Sequence, residues 1–179
     1  KTTLLNCIAR LTEYDGQITN AKCAYIFQKP RLVPNLSVYE NLKLVCADEK
    51  KVDKILERVK LWSRAAAYPV ELSGGEARRV SIARAFLYSA DVILMDEPFS
   101  SLDLKIKYEM FALFKEMKAE FNSTAVFVTH DVEEAIMLSD RIIVLDKGII
   151  KADIDVKSAE QSELRKKLIA TLLGNRYIS

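Results

Sequence analysis

One stretch constrains the fold of this chain more than any other: LSGGEARRVSIARAFLYSADVILMDEPFSSLD, residues 72–103. Two adjacent glycines, Gly74 and Gly75, stand at a helix start. Such a start presents unpaired backbone N–H groups and the positive end of the helix dipole, which suits phosphate. The helix extends to about residue 89 and hands over to Val92-Ile93-Leu94-Met95, four apolar residues that end on Asp96 and Glu97. A strand tipped by two carboxylates places both acids at the C-terminal edge of a sheet, where α/β folds bind ligands. One carboxylate there can serve Mg²⁺ while the next acts on water.

The rest of the chain fits an α/β reading. Leu4, Leu5, Ile8 and Leu11 form an apolar stripe that predicts a helix over 2–11. A short strand is expected at 17–19 after Asp15-Gly16, and a second at 23–27 ending on Gln28. Residues 29–35 carry Pro30 and Pro34 and read as a loop. Ser37-Val38-Tyr39-Glu40 fits a capping box opening a helix to about residue 45. Residues 51–62 are amphipathic, with Val52, Ile55, Leu56, Val59 and Trp62 on one face.

Strands and helices then alternate. A strand at 92–95 precedes a helix at 104–121, whose apolar face holds Ile106, Met110, Leu113, Phe114, Met117 and Phe121. A strand at 125–129, a helix at 132–138 capped by Asp131, and strands at 142–145 and 149–152 around Lys147-Gly148 follow. A last helix at 160–173 presents Leu164, Leu168 and Leu172 and stops at Gly174. This alternation implies a mostly parallel sheet. The helical stretch from about 37 to 89 reads as a lobe inserted into it.

Composition narrows the function classes. The chain has 179 residues, with 27 Lys and Arg against 25 Asp and Glu. A net charge of +2 and the lack of a long basic run argue against nucleic acid as a partner. Cys7, Cys23 and Cys46 show no metal-like spacing and read as small buried hydrophobes in a reducing compartment. No apolar run approaches the ~18 residues a membrane helix needs, so any membrane process served by this chain requires another subunit to do the spanning.

Taken together, the LSGGE helix start, the VILMDEP strand and the SLD that follows resemble the ATP-binding-cassette family, the nucleotide-binding subunits of ABC transporters. The resemblance implies a P-loop NTPase fold with an inserted helical subdomain, and ATP with Mg²⁺ as cofactors. Read this way, residues 1–179 form a single domain. Residues 1–28 and 91–152 would make the catalytic core, 29–90 the helical subdomain, and 153–179 a C-terminal helical extension.

The resemblance also assigns roles. Lys1-Thr2 matches only the last two positions of the phosphate loop GxxxxGK[ST] and says little alone. With the downstream motifs in order, Lys1, Thr2 and Thr3 become phosphate-binding candidates and Thr2 a Mg²⁺ ligand. Gln28 is implied to contact Mg²⁺ and the attacking water. Ser73, Gly74, Gly75 and Glu76 would bind the γ-phosphate of ATP held by a second subunit, although relatives often carry Gln at the Glu76 position. Asp96 is assigned to Mg²⁺ and Glu97 to general base. Asp103, in the Ser101-Leu102-Asp103 loop, would lie at the dimer interface, and a helix cap is its bland alternative. His130, the only histidine, matches the switch histidine that senses the γ-phosphate.

The partners implied are a transmembrane permease subunit touching residues 29–35, a second ATPase subunit, and an extracytoplasmic solute-binding protein. The site of action would be the cytoplasmic face of the cell membrane. Sequence around Gln28 and before Ser73 is most similar to nitrate, sulfonate and taurine importers, with Asn35 where that group often has Trp. Lys1 opens a helix with no strand before it, so the chain is expected to be an N-terminally truncated piece and inactive by itself. Also expected is the loss of a β-hairpin between Thr19 and Cys23. The alternatives are a non-transport ATPase of the translation or DNA-repair type, or an inert binding module. The short interval between Gln28 and Ser73 has no sustained heptads for the long arms of the DNA-repair type.

Overall fold

A computed structural model describes residues 1–100, 102–157 and 160–173. Two compact units emerge, one of Thr2–Val128 and the other of Lys1 with Thr129–Ser179.

The larger unit is built on a three-stranded parallel sheet in the order β1 (Cys23–Ile26), β2 (Val92–Asp96), β3 (Thr124–Val128). Register pairs Cys23 with Val92 and Val92 with Thr124, so all three strands end on one edge. β2 is central, and its Ile93, Leu94 and Met95 are buried, which accounts for its unbroken apolar run. The helices are α1 (Thr2–Ile8), α2 (Val38–Lys43), α3 (Glu49–Arg58), α4 (Gly74–Leu87) and α5 (Leu104–Phe121). Phe86 of α4 meets Phe114 of α5 with ring centroids 5.9 Å apart, and Phe99 meets Phe111 at 5.0 Å. Such ring pairs contribute beyond the area they bury.

In the second unit, α6 (Val132–Leu138), β4 (Arg141–Asp146), β5 (Ile149–Asp155) and α7 (Gln161–Leu173) follow in sequence. β4 and β5 pair antiparallel across Lys147 (φ 48°) and Gly148 (φ 81°). Both central residues have positive φ, as a two-residue hairpin that matches strand twist requires. Ile136, Ile142, Val144, Ile154, Leu164 and Leu168 form its core.

Several expectations are corrected. No strand forms at 17–19; without a neighbour to pair with, a three-residue segment has nothing to satisfy its backbone. Trp62 does not join the apolar face of α3. That helix stops at Arg58 with Lys60 left-handed (φ 58°), and the Leu61 N–H reaches back to the Leu56 carbonyl at 2.8 Å. This Schellman stop buries Leu61 in place of Trp62, which is 54% exposed in a short 3₁₀ turn. The same device at Arg10 ends α1 at Ile8, leaving Leu4 and Leu11 exposed. Leu172 lies outside the core contacts of α7 and is exposed; Phe121 on α5 is partly exposed, but its ring packs on Phe86 with centroids 5.4 Å apart. Ser101 and Gly174 lie outside the described residues.

Candidate active site

Asp96 closes β2 opposite Val128, and Glu97 is the first residue beyond it. Glu97 takes φ 44°, a left-handed conformation that non-glycine residues rarely adopt. The following Pro98 is buried and disfavours ordinary helical backbone at Glu97, so the chain must leave the sheet abruptly. The turn is fastened by the Glu97 N–H to the Val128 carbonyl at 2.9 Å. It is fastened again by Ser100, whose N–H (3.2 Å) and Oγ (2.9 Å) donate to the Glu97 carbonyl. Both carboxylates are only half-buried at the sheet edge.

Gln28, just past β1, extends its side chain over this turn. Its Nε2 donates at 3.4 Å to Glu97 Oε2 and at 3.4 Å to Ser100 Oγ. β1 also places Tyr25 stacked on Phe27, centroids 4.3 Å apart, with the Arg31 guanidinium 3.9 Å above the Phe27 ring. Burial and then the Asp96 carboxylate hold the Tyr25 phenol above its ordinary value, with Arg31 opposing.

The glycine helix start is built as a capping box. Ser73 Oγ accepts from the Glu76 N–H at 3.2 Å, and the Glu76 carboxylate accepts from the Ser73 N–H at 2.8 Å. The Ser73 hydroxyl also lies against the Glu76 carboxylate, so the cap is tied to Glu76 through both its backbone and its side chain. Glu76 also meets Arg64 Nε at 3.3 Å. The Ser73 N–H, then the Ser73 hydroxyl, and then Arg64 hold the Glu76 carboxyl below its usual range, against the opposing effect of burial. Glu76 thus faces its own helix start. The two glycines differ: a Cβ on Gly75 would come within 3.3 Å of Ile106 Cγ2, whereas one on Gly74 would meet nothing. Packing against α5 explains Gly75 and leaves Gly74 as an open approach to the backbone.

Asp103 Oδ1 accepts from the Ile106 N–H at 3.0 Å and caps α5, a role that can hold together with one at an interface. Thr2 and Thr3 are exposed in the first turn of α1. In the second unit, Lys1 Nζ donates to the Thr129 carbonyl at 3.4 Å. His130 is exposed in the turn between Thr129 and Asp131. That turn is fixed by the Asp131 N–H on Thr129 Oγ1 (3.0 Å) and by Thr129 Oγ1 donating to the buried Glu134 at 2.6 Å.

Sequence reasoning passed over Ser100, Arg78, Arg84 and Asn41. The last three stand among other polar residues on their helices, and nothing in the local pattern sets them apart. Among the described residues no cluster of three His, Cys, Asp or Glu could hold a metal ion.

A parallel sheet with an acidic strand tip, faced by glutamine and joined to a glycine-opened helix, defines an α/β fold of the P-loop NTPase type. Residues 1–100 match the model of the ABC transporter family, and the chain belongs to that family. It is 36% identical over 176 residues to a sulfate/thiosulfate import ATP-binding protein of Bacillus cereus, covering 84% of this chain and 49% of the relative. It is 40% identical over 163 residues to an aliphatic sulfonates import ATP-binding protein of Mesorhizobium japonicum, covering 87% and 66%. The chain thus spans about half of the first relative's length and just under two thirds of the second's. Among solved structures it is similar to a dimeric, post-hydrolysis ATP-binding cassette bound to ADP and Pi. That match has a TM-score of 0.73 and 29% identity, covering 87% of this chain and 80% of the other.

Proposed function

We propose that this chain is the ATP-hydrolysing portion of a subunit that powers import of a small oxyanion, with sulfate and organic sulfonates the best-supported class. The observation that carries this reading is Glu97. It is a carboxylate held in left-handed backbone at the tip of β2, with the Gln28 amide spanning it and Ser100. A base fixed this way can take a proton from water as the water attacks a phosphoryl group. The similarity to a dimeric cassette bound to ADP and Pi, and to two import ATP-binding proteins, favours the same chemistry here.

Asp96 and Gln28 offer hard oxygen donors, and no dense acidic cluster competes with them among the described residues. That suits Mg²⁺, which commonly takes one or two protein ligands and completes its shell with phosphate and water. When bound, Mg²⁺ would neutralise charge on the phosphates. The roles of Lys1, Thr2 and Thr3 toward phosphate, of Thr2 toward the metal, and of His130 toward the γ-phosphate rest on motif order.

Two copies would act head to tail, each offering Ser73, Gly74 and Gly75 to nucleotide on the other. The open backbone at Gly74 supports that arrangement. A permease subunit would dock near residues 29–35. An open concavity of about 620 Å³ beside this loop is lined by Pro34, Arg64, Tyr68, Val70 and Glu71, and Val70 is 91% exposed there. No described helix is long and apolar enough to cross a membrane, so the spanning would fall to that partner. The location would then be the cytoplasmic face of the membrane, with an extracytoplasmic solute-binding protein in the same system.

The test is Glu97→Gln in the full-length protein. ATP binding should persist while turnover falls by about 10²-fold or more, the usual contribution of a positioned base. Turnover near the wild-type rate would remove Glu97 from this role.

A further inference from the structure

The glycine-bearing helix is joined to the end of β1, where Gln28 begins, by a buried cation. Arg78 lies one turn into α4, four residues after Gly74, and is 3% exposed. Its guanidinium leaves the helix and takes hold of the end of β1. One terminal nitrogen donates to the Phe27 carbonyl at 2.6 Å, and the other donates to the Gln28 carbonyl. Further along the helix, Arg84 donates to the Arg31 carbonyl at 2.6 Å. Three carbonyls of the segment 27–31 are thus held by one helix.

A buried guanidinium without accepting partners would be costly, so these two carbonyls matter to the fold. They also matter to geometry. The planar fork spans two successive carbonyls and fixes the peptide plane between Phe27 and Gln28. That plane sets where the Gln28 side chain starts, and Gln28 reaches Glu97 and Ser100 over long contacts of 3.4 Å. At such lengths a small rotation of the backbone breaks the bridge.

We propose that Arg78 is a positioning residue for hydrolysis. It holds Gln28 over Glu97 and ties that contact to the helix whose first turn carries Ser73 and Gly74. The inference rests on the ATPase reading above. A lysine could reach one carbonyl but not both, and an apolar side chain could reach neither.

The experiment is a double-mutant cycle on steady-state ATP hydrolysis by the full-length protein, using Arg78→Met, Gln28→Ala and the pair. Arg78→Met should lower kcat about tenfold, because displacing a reacting group by about 1 Å costs up to roughly 10²-fold. KM for ATP should stay within about twofold, as for a contact realised after binding. In the Gln28→Ala background, Arg78→Met should have little further effect. Arg78→Lys should fall between wild type and Arg78→Met.

Losses that multiply in the double variant, or a rise in KM with kcat unchanged, would overturn the proposal. If Arg78→Met does not fold, Arg78→Lys carries the same cycle with a smaller expected loss, about threefold, and the same refuting outcomes. Glu97→Gln in parallel separates the two ideas. Retained turnover there refutes the active-site reading. Lost turnover there, with additive Arg78 and Gln28 effects, refutes only the coupling.

Discussion

Replacing Asn41 by aspartate should make the stability of this protein pH-dependent in a direction fixed by four hydrogen bonds. Asn41 in α2 is wholly buried. Its Oδ1 accepts from the Val33 N–H at 2.8 Å, and its Nδ2 donates to the carbonyls of Val33 (3.1 Å), Leu36 (2.9 Å) and Ser37 (3.0 Å). The side chain therefore holds the loop that leaves Gln28 against α2. Aspartate keeps the shape and the bond from Val33 but turns a second oxygen toward three carbonyl oxygens. The charged form is both desolvated and repelled, while the protonated form recovers one donor bond. The folded-state pKa must rise above the unfolded value of about 3.9. The folded state then holds its proton more tightly, so stability is highest below about pH 4 and falls as pH rises toward the folded pKa. The slope is about 1.4 kcal/mol per pH unit.

At low pH the cost of Asn41→Asp is that of unpaired carbonyls, roughly 1–3 kcal/mol. By neutral pH the charge should bring it to about 4 kcal/mol or more. Asn41→Ala loses the same bonds without a charge, so its deficit should be about 2–4 kcal/mol and flat with pH. Urea unfolding at about pH 4.5 and about pH 7.5 separates the two variants. An aspartate variant within about 1 kcal/mol of wild type at the higher pH, or one that parallels alanine across the range, would refute the reasoning.

Other outcomes follow from the glycine helix start. Gly74→Ala should leave thermal stability unchanged or raise it by up to ~1 kcal/mol, since alanine is the better helix former and its Cβ meets nothing. The same change should lower ATP turnover about tenfold or more if a phosphate approaches that backbone; equal loss of both properties in thermal melts and ATPase assays would contradict it. Glu76→Gln should keep the capping geometry but remove one source of acid sensitivity. The Glu76 carboxyl is lowered by the Ser73 N–H, so its contribution is present above about pH 4.3 and is lost as pH falls through the folded pKa. A melt series should therefore show a flatter acid limb for the glutamine variant.

Much of this architecture was legible because local and tertiary signals agree. The long helix 104–121 has an acidic cap and an apolar face that agree, the helix 132–138 follows its Asp131 cap, and both form as expected. The strand tip Asp96-Glu97 was readable from four apolar residues ending on two acids. What stayed hidden depended on contacts distant in sequence or on backbone unusual for its residue type. Nothing in VKLW announces that Lys60 will turn left-handed and exchange Trp62 for Leu61 at the core. Nothing in ARRVSIARA says which arginine points inward; Arg78 grips the end of β1 from about fifty residues away, while Arg79 pairs with Glu109 at the surface. The bonds of Asn41 run to a loop whose path is set only once α2 is in place.

The van der Waals contact between Gly75 and Ile106 has a practical consequence for watching this molecule move. A side chain at Gly75 would press on Ile106 Cγ2 at 3.3 Å, so the start of α4 and the first turn of α5 lie close enough for a shift of one to be felt by the other. A fluorophore on the solvent side of α5, at the exposed Lys105, would therefore track the serine–glycine turn without being attached to it.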